Sequence, residues 1–325
     1  MDVNIKVALM ALIISLVFTA IIMPVFIPVL HKLKFGQSIR IEGPKSHLSK
    51  QGTPTMGGIV FVVITILTML VLKPNYFFSS SGLAILVVFL GFFAIGLVDD
   101  LLIVVKHKND GLSPKLKILL QALITILLIF IYPGLLSDDK MTTISILAWQ
   151  INLQQLYLVF ALFMFIAYSN AVNLTDGLDG LSSITVAIAL TFMGIIAYVQ
   201  AQHVELTYIG ALVGGLLGFY LFNRKPAKIF MGDTGSLALG GFYAIIALLL
   251  KVEMLSIIIG MIFVIEVLSD IIQIFYYKKT GKRFFRMAPI HHHFEMGKLK
   301  EKGTVLMFYG WGLIFGIIGM VIYFV

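Results

Sequence analysis

The sequence predicts an all-α polytopic membrane protein with ten transmembrane helices and both termini on the extracytoplasmic side. Three observations support this fold class: 59% of the 325 residues are hydrophobic, only 12% are charged, and the mean hydropathy is +1.01. Ordinary globular domains are about 45–50% apolar and about 25% charged. So few charges could not cover a soluble fold of this size, which excludes a soluble enzyme and a disordered chain. Cysteine is absent, so thiol nucleophiles and zinc–thiolate sites are excluded as well.

Ten apolar stretches account for most of the chain. A helix needs about 20 apolar residues to cross a hydrocarbon core of about 30 Å. The first stretch is too long for a cleaved leader and is expected to be a retained span. We therefore expect one integral-membrane domain over residues 1–325. The stretches lie near 8–30, 56–72, 83–105, 116–132, 155–170, 180–200, 206–222, 236–250, 254–276 and 304–325.

The positive charges fall on one side of this ten-span arrangement. Four loops, at 31–54, 106–117, 223–233 and 278–303, contain 20 of the 24 Lys and Arg residues. Because cytoplasmic loops of membrane proteins are rich in Lys and Arg, these loops are predicted to be cytoplasmic. The net charge of +8 therefore lies at the inner face, where topology alone would explain it. It would also attract anionic lipid or a polyanionic substrate. Nucleic acid is not an expected partner.

Five aspartates lie at the predicted cytoplasmic helix ends. Asp99 and Asp100 close the third stretch, Asp176 and Asp179 lie between the fifth and sixth, and Asp233 lies between the seventh and eighth. Carboxylates near a membrane span are costly and therefore indicate function. Mg²⁺ prefers carboxylate, phosphate and water oxygens, and phosphoryl transfer needs such a cation together with basic side chains. The pattern indicates a metal and phosphate site.

Each motif also has a simpler interpretation. The Asp99–Asp100 pair would fit a solvated helix end, and the sequence DGLDG at 176–180 would fit a turn. The sequence DTGS at 233–236 is spelled like an aspartic-protease signature. That class of enzyme needs a second aspartate that shares a proton with the first, and the sequence contains no second copy of the signature. The histidines at 291–293 could form a solvated loop, bind a transition metal when neutral, or bind phosphate when protonated.

Two further acids, Glu266 and Asp270, lie one helical turn apart in the ninth stretch, 254–276. Either these two acids belong to the predicted metal and phosphate site, or they only line a polar cleft. Because this stretch is long and contains both acids, we expect it to tilt or break and open a lateral groove for a lipid.

Several motifs in order identify a family. The chain resembles the phospho-N-acetylmuramoyl-pentapeptide transferases, members of the polyprenyl-phosphate N-acetylhexosamine-1-phosphate transferase superfamily, over nearly its full length. The motifs that carry the resemblance are QSIRIEGPKSHLSKQGTPTMGG at 37–58, the pair at 99–100, GLSPKLK at 111–117, NAVNLTDGLDGL at 170–181, PAKIFMGDTGSLALGG at 226–241 and MAPIHHHFE at 287–295.

The resemblance implies an activity, a cofactor and a location. Such enzymes transfer phospho-MurNAc-pentapeptide from UDP-MurNAc-pentapeptide to undecaprenyl phosphate, and release UMP and lipid I for peptidoglycan synthesis. They require Mg²⁺ and act at the cytoplasmic face of the bacterial inner (plasma) membrane. Homodimers are common in the family, so a homodimer is a possible assembly.

The resemblance also implies residue roles. Asp99, Asp100, Asp233 and His291 are expected to be catalytic: Asp233 as the metal ligand, Asp99 and Asp100 as the pair that handles the lipid phosphate, and Asp99 as the base or the nucleophile of the reaction. The expected substrate-binding residues are Lys50, Lys115, Asn173, Asp176, Asp179, Asn223, His292 and His293.

The chain departs from the family pattern at one position near the aspartate pair. Many members have Lys where this chain has Ile103, and Lys106 or Lys108 is expected to replace it. The main alternative function is a sister enzyme that transfers GlcNAc-1-phosphate, although the three consecutive histidines favour the muramoyl-pentapeptide family. A transporter would need charged residues at the bilayer midplane, whereas the acids here lie at one face.

Overall fold

The computed structural model describes residues 2–33, 50–106, 111–146 and 149–325 and is almost entirely helical. The first half contains α1 (Val3–Lys32), α2 (Gly58–Leu72), α3 (Pro74–Phe77), α4 (Ser80–Lys106), α5 (Pro114–Ile131), α6 (Gly134–Ser137) and α7 (Asp139–Thr142). The second half contains α8 (Tyr157–Thr175), α9 (Leu181–Val199), α10 (His203–Asn223), α11 (Gly232–Leu249), α12 (Glu253–Ile259), α13 (Met261–Thr280), α14 (Ile290–Phe294) and α15 (Lys300–Phe324).

A short hairpin of two antiparallel strands, β1 (Thr143–Ile146) and β2 (Trp149–Asn152), joins α7 to α8. Its register pairs Thr143 with Asn152 and Ile146 with Trp149. The hairpin lies at the end of the helix bundle that is opposite the aspartates, as Lys251 beyond the end of α11 bonds to the Met141 carbonyl next to it.

Each of the ten predicted stretches coincides with a helix. Eight helices in the described part of the chain are long and apolar enough to cross a membrane, and α12 with α13 makes a ninth if that bent pair is one span. The remaining helix, α2, has only 15 residues. The multi-pass helical architecture is thus confirmed, with eight to nine candidate spans.

The break predicted in the ninth stretch is present. Helices α12 and α13 meet at Gly260 with a bend of 81°. Gly260 fits this junction because an added Cβ would lie 2.9 Å from the hydroxyl of Tyr243 and 3.0 Å from the carbonyl of Ser256. The bend turns α13 away from the axis of α12 and brings Glu266 toward the histidine segment.

Helix α11 is the centre of the bundle and packs mainly against α4 and α8. Two glycines on neighbouring helices allow those helices to approach the start of α11 closely. A Cβ at Gly96 of α4 would lie 2.0 Å from the carbonyl oxygen of Asp233, and one at Gly58 of α2 would lie 2.4 Å from the backbone of Gly235. These contacts hold the first turn of α11, which contains Asp233, between α2 and α4.

Candidate active site

The predicted aspartates meet at one end of the bundle. Asp99 and Asp100 lie near the end of α4, Asp233 lies in the first turn of α11, and Asn173 lies in the last turn of α8. The amide of Asn173 donates to one carboxylate oxygen of Asp233 at 2.7 Å and to the Ser236 hydroxyl at 2.9 Å. Three helices that are remote in sequence therefore bring their polar ends together around Asp233.

Asp100 binds the start of α11 directly. Its carboxylate accepts hydrogen bonds from the backbone N–H of Asp233 at 3.1 Å, the N–H of Thr234 at 2.9 Å and the hydroxyl of Thr234 at 2.6 Å. The first amides of a helix have no partners within it, and negative charge is stabilised beside them. Gly232, with φ of 71°, leaves room for this contact, since a Cβ there would lie 2.3 Å from the Asp100 carboxylate. Asp100 thereby fixes the position of Asp233.

Lys117 of α5 joins the two other aspartates. Its ammonium lies 3.0 Å from Asp99 Oδ2 and 2.9 Å from Asp233 Oδ2. The second oxygen of Asp99 accepts from the Leu112 N–H at 2.6 Å. Lys115, the lysine predicted from the sequence, is exposed on another face of α5. Lys117 thus supplies a cation to both aspartates, whereas Lys108 and the side chain of Lys106, which are expected to replace a lysine at position 103, lie outside the described residues.

The donor chemistry around Asp233 suits Mg²⁺. Two carboxylates, Asp99 and Asp233, flank one ammonium group, which shows that this spot stabilises a positive charge. In the described part of the chain no three His, Asp or Glu side chains form a preassembled metal cluster. Such a cluster is not required, because Mg²⁺ is usually held by one or two carboxylates together with substrate phosphate and water oxygens.

A second group of charges, which we call the Glu301 cluster, lies beside this centre and consists of Lys50, Asp179, Lys225 and Glu301. The Lys50 ammonium lies 2.6 Å from Asp179 and 2.5 Å from Glu301, and the Lys225 ammonium lies 2.6 Å from Glu301. Glu301 also accepts from the Asp179 N–H at 3.2 Å. Burial lowers the pKa of Lys50, but Asp179 and Glu301 outweigh burial and raise it above its usual value.

The Glu301 cluster ties four segments of the chain together. Asp179 lies in the loop between α8 and α9, Lys225 follows α10, Glu301 begins α15, and Lys50 precedes α2. A cavity of about 480 Å³ opens next to it, and further cations and aromatic rings line its walls. The lining includes Asp179, Tyr220, Arg224, Lys225, Lys228, Glu301, Lys302 and Tyr309.

Two other predicted substrate-binding residues, Asn223 and Asp176, have different surroundings. Asn223 is buried; its carbonyl accepts from the Gly180 N–H at 3.1 Å and the Ser183 hydroxyl at 2.8 Å, and its amide donates to the Ile229 carbonyl at 2.9 Å. Burial, followed by the charges of Asp233 and Asp100, raises the pKa of Asp176 well above its usual value. Asn223 therefore shapes the loop, and Asp176 belongs to the same electrostatic centre as Asp233.

The three histidines form a compact group with two acids. His291 Nδ1 lies 3.0 Å from Glu266, and both side chains are fully buried. His292 Nδ1 lies 3.1 Å from Glu295, and the rings of His291 and His292 are 4.1 Å apart at their centroids. His293 Nδ1 accepts from the N–H of Arg286 at 3.2 Å. A Cβ added at Gly177 would lie 2.3 Å from His291 Nε2, so His291 faces the loop that contains Asp176.

Two family models match parts of this sequence. The glycosyl transferase family 4 model matches residues 82–251, and the first signature of phospho-N-acetylmuramoyl-pentapeptide transferases matches residues 50–62. A phospho-N-acetylmuramoyl-pentapeptide-transferase of Lactococcus lactis is 46% identical over 97% of this chain and 98% of the relative. The chain belongs to the phospho-N-acetylmuramoyl-pentapeptide-transferase family.

Two further relatives with the same name support the assignment. The transferase of Listeria monocytogenes is 48% identical over 94% of this chain and 95% of the relative. That of Clostridium acetobutylicum is 46% identical over 92% and 93%, respectively. The family resemblance inferred from the motifs is thus confirmed.

The sequence predicts most of the residues that meet here, but not Lys117, Lys225 or Glu301. Glu266 is conspicuous in the sequence because a carboxylate in an apolar stretch needs a partner. The sequence does not show that this partner is His291.

Proposed function

We propose that this protein transfers phospho-MurNAc-pentapeptide from UDP-MurNAc-pentapeptide to undecaprenyl phosphate, in a Mg²⁺-dependent reaction that yields lipid I and UMP. The observation that carries the proposal is the meeting of Asp99 and Asp233 at Lys117, within 3.0 Å of each, in a member of this family. Two carboxylates and an ammonium at a helix end form a site for phosphate groups and a divalent cation.

In the proposed reaction, Asp99 orients the acceptor phosphate and takes its proton where one is present. An oxygen of that phosphate then attacks the β-phosphorus of the donor. The bond from this phosphorus to the bridging oxygen breaks, and UMP leaves with the electron pair. Lys117 offsets negative charge on the phosphoryl oxygens, and Asp100 holds Asp233 in place.

Asp233 would hold Mg²⁺, with Asp99 as a second carboxylate beside it, since both contact Lys117. When bound, the ion supplies positive charge to the diphosphate. Asn173 orients the Asp233 carboxylate through its 2.7 Å hydrogen bond. The contacts with Asn173 and Lys117 fix the orientation of the Asp233 carboxylate.

The decisive measurement is UMP release by purified protein given both substrates, with and without Mg²⁺. We expect Asp99→Asn and Asp233→Asn to lower kcat by about 100-fold or more, because each removes charge stabilisation from the transition state. Asp138→Asn, an exposed acid at the other end of the bundle, is the matched control. Near-normal turnover by Asp233→Asn would refute its metal role. Competition between UDP-GlcNAc and UDP-MurNAc-pentapeptide would test the donor.

The proposal places the site at the cytoplasmic face of the bacterial plasma membrane, with ten spans and both termini outside. The absence of cysteine allows a direct test. Lys228 and Asp139 lie at opposite ends of the bundle, so Lys228→Cys and Asp139→Cys each introduce a single cysteine at one end. A membrane-impermeant maleimide added to intact cells should label the cysteine at 139 and not that at 228. The reverse pattern would overturn the orientation.

A further inference from the structure

Helix α13 places a carboxylate where an apolar residue would be expected. Glu266 lies just beyond the 81° bend and its side chain is fully buried. Its Oε2 atom lies 3.0 Å from His291 Nδ1, while its Oε1 atom has no hydrogen-bond partner among the described residues. Burying such a group is costly unless it is paired and all its oxygens are hydrogen-bonded. The pair therefore needs an explanation beyond packing.

The other nitrogen of His291 is also without a partner. Nε2 is buried, has no hydrogen-bond partner in the described part of the chain, and faces Gly177. The large majority of buried side-chain polar atoms are hydrogen-bonded, and leaving one without a partner costs about 1–3 kcal/mol. A ring nitrogen held in this way at the loop that contains Asp176 is placed to meet a ligand.

We propose that Glu266 is a positioning residue that accepts the Nδ1–H of His291 and so directs Nε2 at the phosphosugar part of the donor. The inference rests on the proposed function. The carboxylate fixes both the tautomer and the orientation of the ring, as carboxylates do for functional histidines elsewhere. Because Glu266 is on the bent helix, the bend itself sets the direction of His291.

Gly177 belongs to the same arrangement. Its missing side chain leaves the space in which His291 Nε2 approaches the backbone between Asp176 and Asp179. Any Cβ at this position would push the ring away and undo the orientation that Glu266 imposes. The glycine and the carboxylate therefore act on opposite sides of one ring.

The test is a double-mutant cycle on steady-state UMP release. Glu266→Leu should lower kcat by about 10- to 100-fold with a smaller change in donor KM, which is the usual range for loss of a carboxylate that orients a functional histidine. Glu266→Gln keeps an oxygen acceptor for Nδ1–H and should recover part of that loss. In a His291→Ala background, Glu266→Leu should change kcat by less than about twofold, because the effect acts through His291.

Asp270→Asn is the matched control, since Asp270 lies one turn further along α13 and is half-buried. It should leave kcat near the wild-type value. Equal losses from Glu266→Leu with and without His291 would overturn the inference, and so would wild-type kcat in Glu266→Gln and Glu266→Leu alike. If Glu266→Leu does not fold, Glu266→Ala, which also removes the acceptor, replaces it in both backgrounds with the same expected outcomes. Failure of the wild-type protein to release UMP would instead refute the proposed function.

Discussion

Removal of Glu301 should weaken donor binding more than it slows chemistry. Glu301 holds Lys50 at 2.5 Å and Lys225 at 2.6 Å, and it accepts from the N–H of Asp179. Lys50 and Asp179 are two of the predicted substrate-binding residues, whereas Asp99 and Asp233 have no direct contact with Glu301. A change at Glu301 therefore acts on the substrate pocket and leaves the reacting centre in place.

The size of the effect follows from burial. Lys225 is 48% exposed, so its pair with Glu301 contributes about 0–1 kcal/mol. Lys50 and Glu301 are only 15% and 4% exposed, and removal of one partner from such a pair costs about 3–5 kcal/mol. Because Lys50 keeps Asp179 at 2.6 Å, we expect Glu301→Ala to cost the cluster about 2 kcal/mol of stabilisation. If the bound donor must restore that order, donor affinity falls by about 30-fold.

The assay is the initial rate of UMP release as a function of donor concentration. Glu301→Ala should raise donor KM by about 10- to 30-fold and change kcat by less than about threefold, whereas Glu301→Gln should fall between Glu301→Ala and wild type. Lys300→Gln, an exposed neighbour at the start of the same helix that does not line the cavity, should behave as wild type. A donor KM within about twofold of wild type in Glu301→Ala would refute the reasoning, and so would a loss confined to kcat.

Two further substitutions test other contacts. Lys117→Met should lower kcat by about 100-fold because it leaves Asp99 and Asp233 without the cation between them, whereas Lys115→Met should stay within about threefold; UMP release measures both, and equal losses would contradict the assignment. Gly177→Ala should lower activity at least about tenfold, since its Cβ would lie 2.3 Å from a ring nitrogen of His291. Gly310→Ala, with open space around the added carbon, is its control, and normal turnover in Gly177→Ala would show that the ring can move freely.

The helices could be predicted from the sequence more easily than their ends. The sequence predicts that the fifth stretch ends near residue 170, but α8 continues to Thr175. Its last turns contain polar residues that neighbouring helices satisfy: the Ser169 hydroxyl accepts from Gln121, and Asn173 donates to Asp233. Hydropathy alone cannot recognise such partners, because they come from other segments.

The start of α11 shows the same limitation. The sequence MGDTGS suggested a loop before residue 236, yet the helix begins at Gly232. Asp100 of α4 satisfies the first amides of this glycine-rich turn and so allows the helix to begin earlier. A partner 133 residues away cannot be inferred from local propensity.

The choice between two lysines could not be made from sequence either. Successive residues of an α-helix are about 100° apart around its axis, so Lys115 and Lys117 point about 160° apart. Nothing in the motif states which face of α5 packs against α4. The clustering of the aspartates, in contrast, followed from topology, because acids at one membrane face need only a short lateral distance to meet.

The attachment of Asp100 to the first turn of α11 has a pharmacological consequence. The group proposed to bind the metal and the group proposed to handle the lipid phosphate stand on helices joined by three hydrogen bonds. A small molecule that wedges these helices apart from the bilayer side would misalign both groups at once. Such an inhibitor would not need to resemble a nucleotide, and a high donor concentration would not displace it.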